Sequence, residues 1–541
     1  MDEKDNTTDK KTFGNITIKI KKKKDDGMKS NEISKIKDIL DKTSGEYTIE
    51  AEVRKIIQTR GPTIFQTADG TGTLDIAGFI SPGERAYPDI NEKDSIRATI
   101  TIAMREEKKR IVIKEASKIE SISSKINEMA FGKDPENSIT KFTIQSKVLD
   151  DLAAKFRSAR ALIKKSIGEG RSIQIRHHAD MDGYAGAIAL EKAIMPIIEA
   201  MFGDRDKWRY FDRAPSPTPF YEYSDVLRDL SFAKKSIERF KNLEPLVILV
   251  DNGSTEEDLL SIRKAKIYNI PLIVVDHHFT EVENGKSVVD DYVDVHINPY
   301  LVGGTKDITA GMLAYELARI INQDAEDLKI LPALAGIADR SKGPELEQYI
   351  KNSGKDRDRL KKIAQCVDYE AHYLRFIQDA GLIYDLIGDD EKHIALINLL
   401  FADIEEKIRI QKEVLIRYAK EEKLKNNILL VTVDITGTTQ RGDYPSPGRA
   451  IGILNDSINA KYPDTAIVTL GQGPDFITLR ANSACEKKGI NLNHIVALLI
   501  KDMPHGMVSG GGHEVAGTVK FVEAAKEEAM QKVMKYLEEL P

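Results

Sequence analysis

At 541 residues the chain is too long for one ordinary domain, and its length suggests about three or four. Hydrophobic residues make up 41% and charged residues 31%, the balance of a soluble globular protein, and no uninterrupted apolar stretch is long enough to span a bilayer. A net charge of −6 gives no bulk attraction to nucleic acid, so such a partner needs a local basic surface.

Residues 1–45 form a polar, basic tail with Lys10-Lys11, Lys19 and the run Lys21 to Lys24, followed by helical spacing from Asn31 to Lys42. The tail lacks the apolar core of a leader, so no signal peptide is expected. Residues 46–120 change character. Short alternating runs (Tyr47–Val53, Thr63–Thr67, Gly72–Phe79, Ser95–Ile102 and Arg110–Lys114) are separated by Gly, Pro and Asp turns. Five such strands suit a small closed all-β barrel of the OB type, a fold that holds single-stranded nucleic acid with aromatics and a basic groove. Arg54, Lys55, Arg60, Phe65 and Phe79 are the candidates for that surface.

Residues 121–344 open with a helical lead-in, 121–170, and then alternate strand and helix, as an α/β domain with a mainly parallel sheet does. Strands are expected at Ser172–Arg176, Glu244–Val250 and Ile270–Val275, and a fourth apolar segment, Leu331–Ala338, ends on Asp339. The stretch 203–243, with Pro215-Ser-Pro-Thr-Pro219 and several tyrosines, reads as an insertion or long loop with some helix. Residues 345–425 form a charged helical connector that includes a helix from Asp403 to Lys423. Residues 426–541 form a second, smaller α/β unit, with Ser509-Gly-Gly-Gly-His513 as a flexible loop. Cys366 and Cys485 stand far apart with no CxxC, which argues against a disulfide framework or zinc ribbon and for a reducing, cytoplasmic setting.

The chemistry concentrates where apolar runs end. His178, Asp180 and Asp182 are spaced by two, so in an extended chain they share one face at steps of about 6–7 Å. Asp251 ends the next strand, Asp276-His277-His278 the one after, and Asp339 the fourth segment. A lone Asp at a strand end is usually a cap, but four in succession, two with nearby His, are hard to explain as capping. Carboxylates and imidazoles at the carboxyl ends of parallel neighbours suit two divalent cations and phosphoester hydrolysis. A mixed oxygen and nitrogen donor set without thiolate favours Mn²⁺ or Mg²⁺ over Co²⁺ or Zn²⁺. In the second unit, Arg480 is a guanidinium suited to phosphate, and Gly510, Gly511 and Gly512, before His513, let backbone N–H groups approach an anion.

His178-x-Asp180-x-Asp182-Gly183, Asp251, Asp276-His277-His278 and Ala338-Asp339 resemble the four motifs of the DHH phosphoesterase superfamily. Phe476–Arg480 and Gly510-Gly-Gly-His513-x-x-Ala516-Gly517 resemble its accessory DHHA1 domain, and the preceding barrel resembles that of RecJ-like single-strand exonucleases of the archaeal type. The resemblance implies a parallel-sheet DHH domain, a smaller α/β DHHA1 domain and two cations with Mn²⁺ preferred. It implies that His178 and Asp180 hold one cation, that Asp182, His277 and Asp339 serve the other, and that Asp251 bridges. Asp276 and His278 would orient ligands or face the scissile phosphate, with His278 a candidate acid. Arg480 and Gly510 to His513 would hold the substrate. The implied activity is metal-dependent exonucleolytic cleavage of single-stranded DNA or RNA, with replication or repair proteins as possible partners and no membrane. The first motif opens with His178 where bacterial RecJ has an acid, a feature of branches that cleave short oligonucleotides. A phosphodiesterase for short oligonucleotides or cyclic dinucleotides is therefore the alternative, and a replication or repair scaffold with secondary hydrolysis is a third.

Overall fold

The computed structural model describes residues 10–13, 16–19, 32–131, 141–240, 243–325, 328–377, 379 and 381–539. The chain divides into two compact units, residues 1–126 and 127–541. Among the described residues no helix is long and apolar enough to cross a membrane.

In the first unit, Lys10–Phe13 and Ile16–Lys19 pair as antiparallel strands within the expected tail, while Lys21 to Lys24 lie outside the described residues. The barrel follows: β1 (Gly45–Gln58), β2 (Thr63–Ala68), β3 (Thr73–Gly78), β4 (Ser95–Arg105) and β5 (Lys108–Lys118) close in the order β1-β2-β3-β5-β4. Period-two alternation sends Ile49, Ala51 and Val53, with Phe65, Ile76 and Ile100, to the interior. The helix expected over 31–42 shrinks to Ile36–Ile39, whose two isoleucines are buried in the same core. Asp69 holds this end together: its Oδ2 accepts Ile36 N–H at 2.8 Å and its Oδ1 accepts Thr71 N–H at 2.8 Å.

The second unit opens with α1 (Lys147–Gly168) and a five-stranded parallel sheet: β6 (Ile173–His178), β7 (Phe211–Ser216), β8 (Leu246–Val250), β9 (Leu272–Val275) and β10 (Val295–Ile297). The order is β10-β9-β8-β6-β7. Because β8 lies between β6 and β9, the carboxyl ends of these three strands are neighbours. Every residue of β8 is buried, as a sheet covered on both faces requires. The two edge strands escape the sequence reading for different reasons. Phe211-Asp-Arg-Ala-Pro-Ser has little apolar character and a Pro, which an edge tolerates, and Val295-His-Ile is too short to show a period.

Helices α2 (Met181–Phe202), α3 (Ala310–Ile321) and α4 (Ile330–Ala338) pack on one another. Here α4 corrects an expectation: the segment that ends on Asp339 is a helix, and Asp339 is its C-cap. A short, wholly apolar run has no period by which to tell a buried strand from a buried helix. Two further helices, α5 (Arg357–Leu374) and α6 (Glu391–Tyr418), lead to the second sheet. The stretch expected to continue as helix to Lys423 instead turns into β11 (Lys420–Lys423).

The second sheet adds β12 (Leu429–Asp434), β13 (Ile467–Gln472), β14 (Phe476–Ala481), β15 (Ser509–His513) and β16 (Ala516–Lys520), in the order β11-β12-β13-β14-β16-β15. Residues 509–513, expected as a flexible loop, are an edge strand paired with β16. Glycine is required there by close approach: a Cβ on Gly510 would strike the Thr518 carbonyl, and Gly512 sits at φ +150°. The two sheets' lobes touch through Arg340 Nη2 and Asp456 Oδ2 at 2.8 Å, and through Lys342 Nζ and Glu486 Oε2 at 3.0 Å.

Candidate metal centre

The first motif does not run along one strand, as its spacing predicted. His178 is the last residue of β6, Asp180 is the N-cap of α2 with its carboxylate accepting Gly183 N–H at 3.1 Å, and Asp182 lies in the helix's first turn. The turn needs Gly183, since a Cβ there would strike the His178 carbonyl. Asp182 is fully buried, and its two oxygens accept Ala310 N–H and Gly311 N–H, both at 2.9 Å, from the N-terminus of α3. Unsatisfied N–H groups and the helix dipole both favour a carboxylate at that place. A Cβ on Gly311 would lie 2.7 Å from Ala335 Cβ and 2.8 Å from Asp182 Oδ1. Gly311→Ala is therefore expected to push Asp182 off its donors, at a cost of about 1–3 kcal/mol, and to weaken cation binding. Thermal melting and isothermal titration with Mn²⁺ measure the two effects.

Asp251 follows β8 with a left-handed backbone, φ +60°, which is unusual outside glycine and is found where surrounding structure enforces it. Its Oδ2 is 3.2 Å from His178 Nδ1, while its Oδ1 is 3.4 Å from His277 Nε2 and 3.7 Å from His278 Nδ1. The two oxygens thus face two different groups.

Asp276 has another task. Its Oδ1 accepts His277 N–H at 2.8 Å and His278 N–H at 3.2 Å, and meets His278 Nδ1 at 2.8 Å. It shapes the turn and orients the His278 ring. His277 donates from Nδ1 to the Lys306 carbonyl at 2.8 Å, and a carbonyl can only accept. In the neutral ring that bond sets the tautomer so that Nε2 carries the lone pair. Nε2 points at Asp339 Oδ2 (3.1 Å), Asp251 Oδ1 (3.4 Å) and Asp182 Oδ2 (3.6 Å). Asn298 braces the floor by donating to the His278 carbonyl at 3.1 Å and to Ser254 Oγ at 3.0 Å.

The result is three overlapping donor groups, His178/Asp180/Asp251, Asp182/His277/Asp339 and Asp251/His277/His278, each with its ligand atoms within 4.8 Å of one another. Divalent cations fit them. Asp251 Oδ1 is buried and makes no close hydrogen bond, its partners being imidazole nitrogens at 3.4 and 3.7 Å, a costly state for a carboxylate oxygen that a cation would relieve. Burial and the Asp251 and Asp339 charges hold the Asp182 carboxyl well above its usual range. Burial pulls His178 and His277 down, but the acids outweigh it and hold both well above the ordinary imidazole value: Asp180 and Asp251 for His178, Asp251 and Asp339 for His277. The cluster by itself keeps protons that bound cations would displace.

The centre forms one wall of a cleft of about 890 Å³, to which the second lobe contributes Arg480 and Ser509 to Gly512. Among the described residues no carboxylate pairs with Arg480. Burial and the neighbouring Arg340 and Arg449 guanidiniums lower its pKa to about 10, so it stays a cation at neutral pH. His513 belongs to β15, but its side chain lies outside the described residues.

The barrel candidates are not brought together in this way. Lys55 and Arg60 are exposed and Phe79 is 51% exposed, but Arg54 is half-buried and bonded to Glu52 at 2.7 Å. Phe65, expected on a binding surface, is instead fully buried in the barrel core, edge-on to Tyr87 at 6.2 Å. It shares the inward parity of Thr63 and Thr67 on β2.

Two contributors were given no functional role from the sequence. Asp368, on α5, accepts Met181 N–H at 3.0 Å at the start of α2. Residues 217–224, including Phe220 and Tyr223, form the cleft wall facing the glycine strand.

The model of the DHH family, N-terminal domain, matches residues 172–339. An uncharacterized protein of Methanocaldococcus jannaschii, MJ1198, is 40% identical over 94% of this chain and 71% of its own length. Among solved structures, the DHH domain of PF0399, a member of the s1p family of ribosomal proteins, is 39% identical, with a TM-score of 0.72, over 77% of this chain and 97% of that one. A manganese-bound RecJ exonuclease is 15% identical, with a TM-score of 0.45, over 72% of this chain and 95% of that one. The family match begins just before β6 and ends on Asp339, so it spans every residue of the three donor groups, and the long relative extends the similarity to nearly the whole chain: the protein belongs to the DHH family.

Proposed function

We propose that this protein is a divalent-cation-dependent phosphodiesterase that shortens single-stranded nucleic acid from one end. The observation that carries the reading is the Asp251 carboxylate, whose two oxygens face two separate donor groups at the floor of a cleft that also holds Arg480. His178, Asp180 and Asp251 would hold one cation, and Asp182, His277 and Asp339 the other, with Asp251 between them. Mn²⁺ suits the mixed donors best, with Mg²⁺ or Co²⁺ as substitutes. Bound cations would supply a water of lowered pKa and charge to offset the phosphodiester.

The chain's own groups do the rest. Arg480 grips a phosphate oxygen, and the side-chain-free strand Gly510 to Gly512 leaves the same wall open to the anion. His278 lines the cleft with Nδ1 committed to Asp276, so proton exchange with a substrate oxygen falls to Nε2. Burial works against its protonation, but Asp276 outweighs burial and raises the pKa of the ring, the sense a proton donor to the leaving oxygen needs. His278→Ala is expected to lower kcat by about 10²–10⁴-fold while Mn²⁺ still binds. The exposed Lys55 and Arg60 offer the barrel a part in holding the strand.

The test is Mn²⁺-dependent digestion of single-stranded DNA and RNA, labelled at either end, from dinucleotides to about 40 nucleotides, beyond one barrel's site size. Progressive shortening of long strands supports the exonuclease. Turnover confined to the shortest substrates replaces it with an oligonucleotide phosphodiesterase, and no turnover at any length overturns both.

A further inference from the structure

The cleft wall opposite the glycine strand has no role in holding cations, yet it is built with care. Residues 217–224 run from the end of β7 into the first turn of the helix Tyr223–Phe240. Their anchor is Tyr221, fully buried, which donates from its backbone N–H to Asp258 Oδ1 at 2.6 Å and from its hydroxyl to Asp229 Oδ2 at 2.9 Å. Asp229 is itself buried and also accepts Gln174 Nε2 at 2.8 Å and the Arg176 guanidinium. Arg176 Nη1 in turn donates to the Pro215 carbonyl at 3.0 Å. This network, rooted in β6, fixes the segment, and Pro217 and Pro219 stiffen it further.

With Tyr221 turned inward, its neighbours face the cleft. Phe220 is half-buried, and its Cζ lies 3.1 Å from where a Cβ on Gly511 would be, so the bare strand makes room for the ring. Tyr223 is 44% exposed in the same lining. Its hydroxyl accepts Lys264 Nζ at 2.6 Å, and Lys264 sits over its ring at 4.6 Å. Two aromatic rings held on a rigid segment share one cleft with Arg480 and the metal cluster. A ligand matched to both walls is flat and apolar at one end and anionic at the other, which describes a nucleotide. We propose that Phe220 and Tyr223 form a stacking shelf for the nucleobase beside the scissile phosphate, so that the site reads the presence of a base as well as the sugar-phosphate chain. The inference rests on the phosphodiesterase reading above and adds the feature of the substrate that the cleft selects.

The test is binding to the full-length protein, in Mn²⁺, of two fluorescent strands of about five nucleotides with phosphorothioate linkages that resist cleavage, within one site's length. One is oligothymidylate and the other carries abasic tetrahydrofuran residues throughout. Fluorescence anisotropy should show thymidylate binding about 10-fold or more tightly, the size of a base-aromatic stack. Phe220→Ala should erase the preference and Phe220→Trp should keep it. Tyr223→Ala should reduce it independently. Equal affinity of the wild type for the two strands overturns the shelf, as does a base preference that survives both alanine substitutions. The parent reading fails separately: base-selective binding without turnover of cleavable strands sinks the hydrolase and leaves a nucleotide-binding site, whereas turnover without base preference sinks the shelf alone.

Discussion

Asp251→Ala is expected to abolish Mn²⁺-dependent hydrolysis while leaving the fold intact. Asp251 is the acid between the two groups, with Oδ2 at 3.2 Å from His178 Nδ1 and Oδ1 at 3.4 Å from His277 Nε2. Among the described residues no other carboxylate belongs to both the His178 group and a group containing His277. Its removal takes a ligand from each. Metal-assisted charge stabilisation is worth several kcal/mol, so a loss of about 10³-fold or more is expected in kcat/KM. The fold survives because Asp251 Oδ1 makes no close hydrogen bond and its charge repels the buried Asp182, although the left-handed backbone suits Asp better than Ala. Relief of that buried, unsatisfied oxygen offsets the lost contacts. Circular dichroism and a melting curve check the fold, titration with Mn²⁺ checks cation binding, and labelled strands check turnover. Near-normal turnover in a folded variant would end the shared-carboxylate account.

Asp229→Ala is expected to produce the largest loss of stability. Arg176 is 4% exposed in the middle of β6 and Asp229 is 1% exposed, so the pair is desolvated from both sides. Truncating Asp229 leaves the buried guanidinium without its paired carboxylate and with only the Asp225 charge nearby, at a cost of up to about 3–5 kcal/mol. The Tyr221 hydroxyl and the Gln174 amide lose their acceptor as well. Urea unfolding should show the midpoint falling, with the transition of residues 127–541 affected. A double change, Arg176→Met with Asp229→Leu, should recover much of the loss, because it removes the charge together with its partner. A single variant as stable as wild type would mean that water reaches the guanidinium. Since the same network anchors residues 217–224, Asp229→Ala should also weaken oligonucleotide binding, although Asp229 does not line the cleft.

The cluster shows how far local pattern reaches. Asp251 and Asp276-His277-His278 follow β8 and β9 as the sequence predicts, because an unbroken apolar run bounded by polar residues is what a doubly covered parallel strand needs. The barrel strands were legible for the related reason that a half-buried strand alternates. The same reasoning failed at α4, where a fully apolar nine-residue segment has no alternation to read, and at residues 509–513, where glycines chosen for close strand approach look like a hinge. Phe65 failed differently. Its type suited a stacking surface, but on a closed barrel the parity of a strand, which depends on the register of its partners, decides whether an aromatic faces in or out.

The chain alone determined which residues could carry the chemistry, the class of cation their donor atoms prefer and the two sheet types that frame them, since all three follow from residue identity and short-range period. The tertiary structure decided what each residue does. The Lys306 carbonyl selects His277 Nε2, the N-terminus of α3 takes both oxygens of Asp182, and Asp276 Oδ1 holds the His278 ring. It also brought residues 217–224 against a glycine strand nearly 300 positions later. These assignments rest on hydrogen bonds and close approaches between segments far apart in the chain, and no local spacing encodes them.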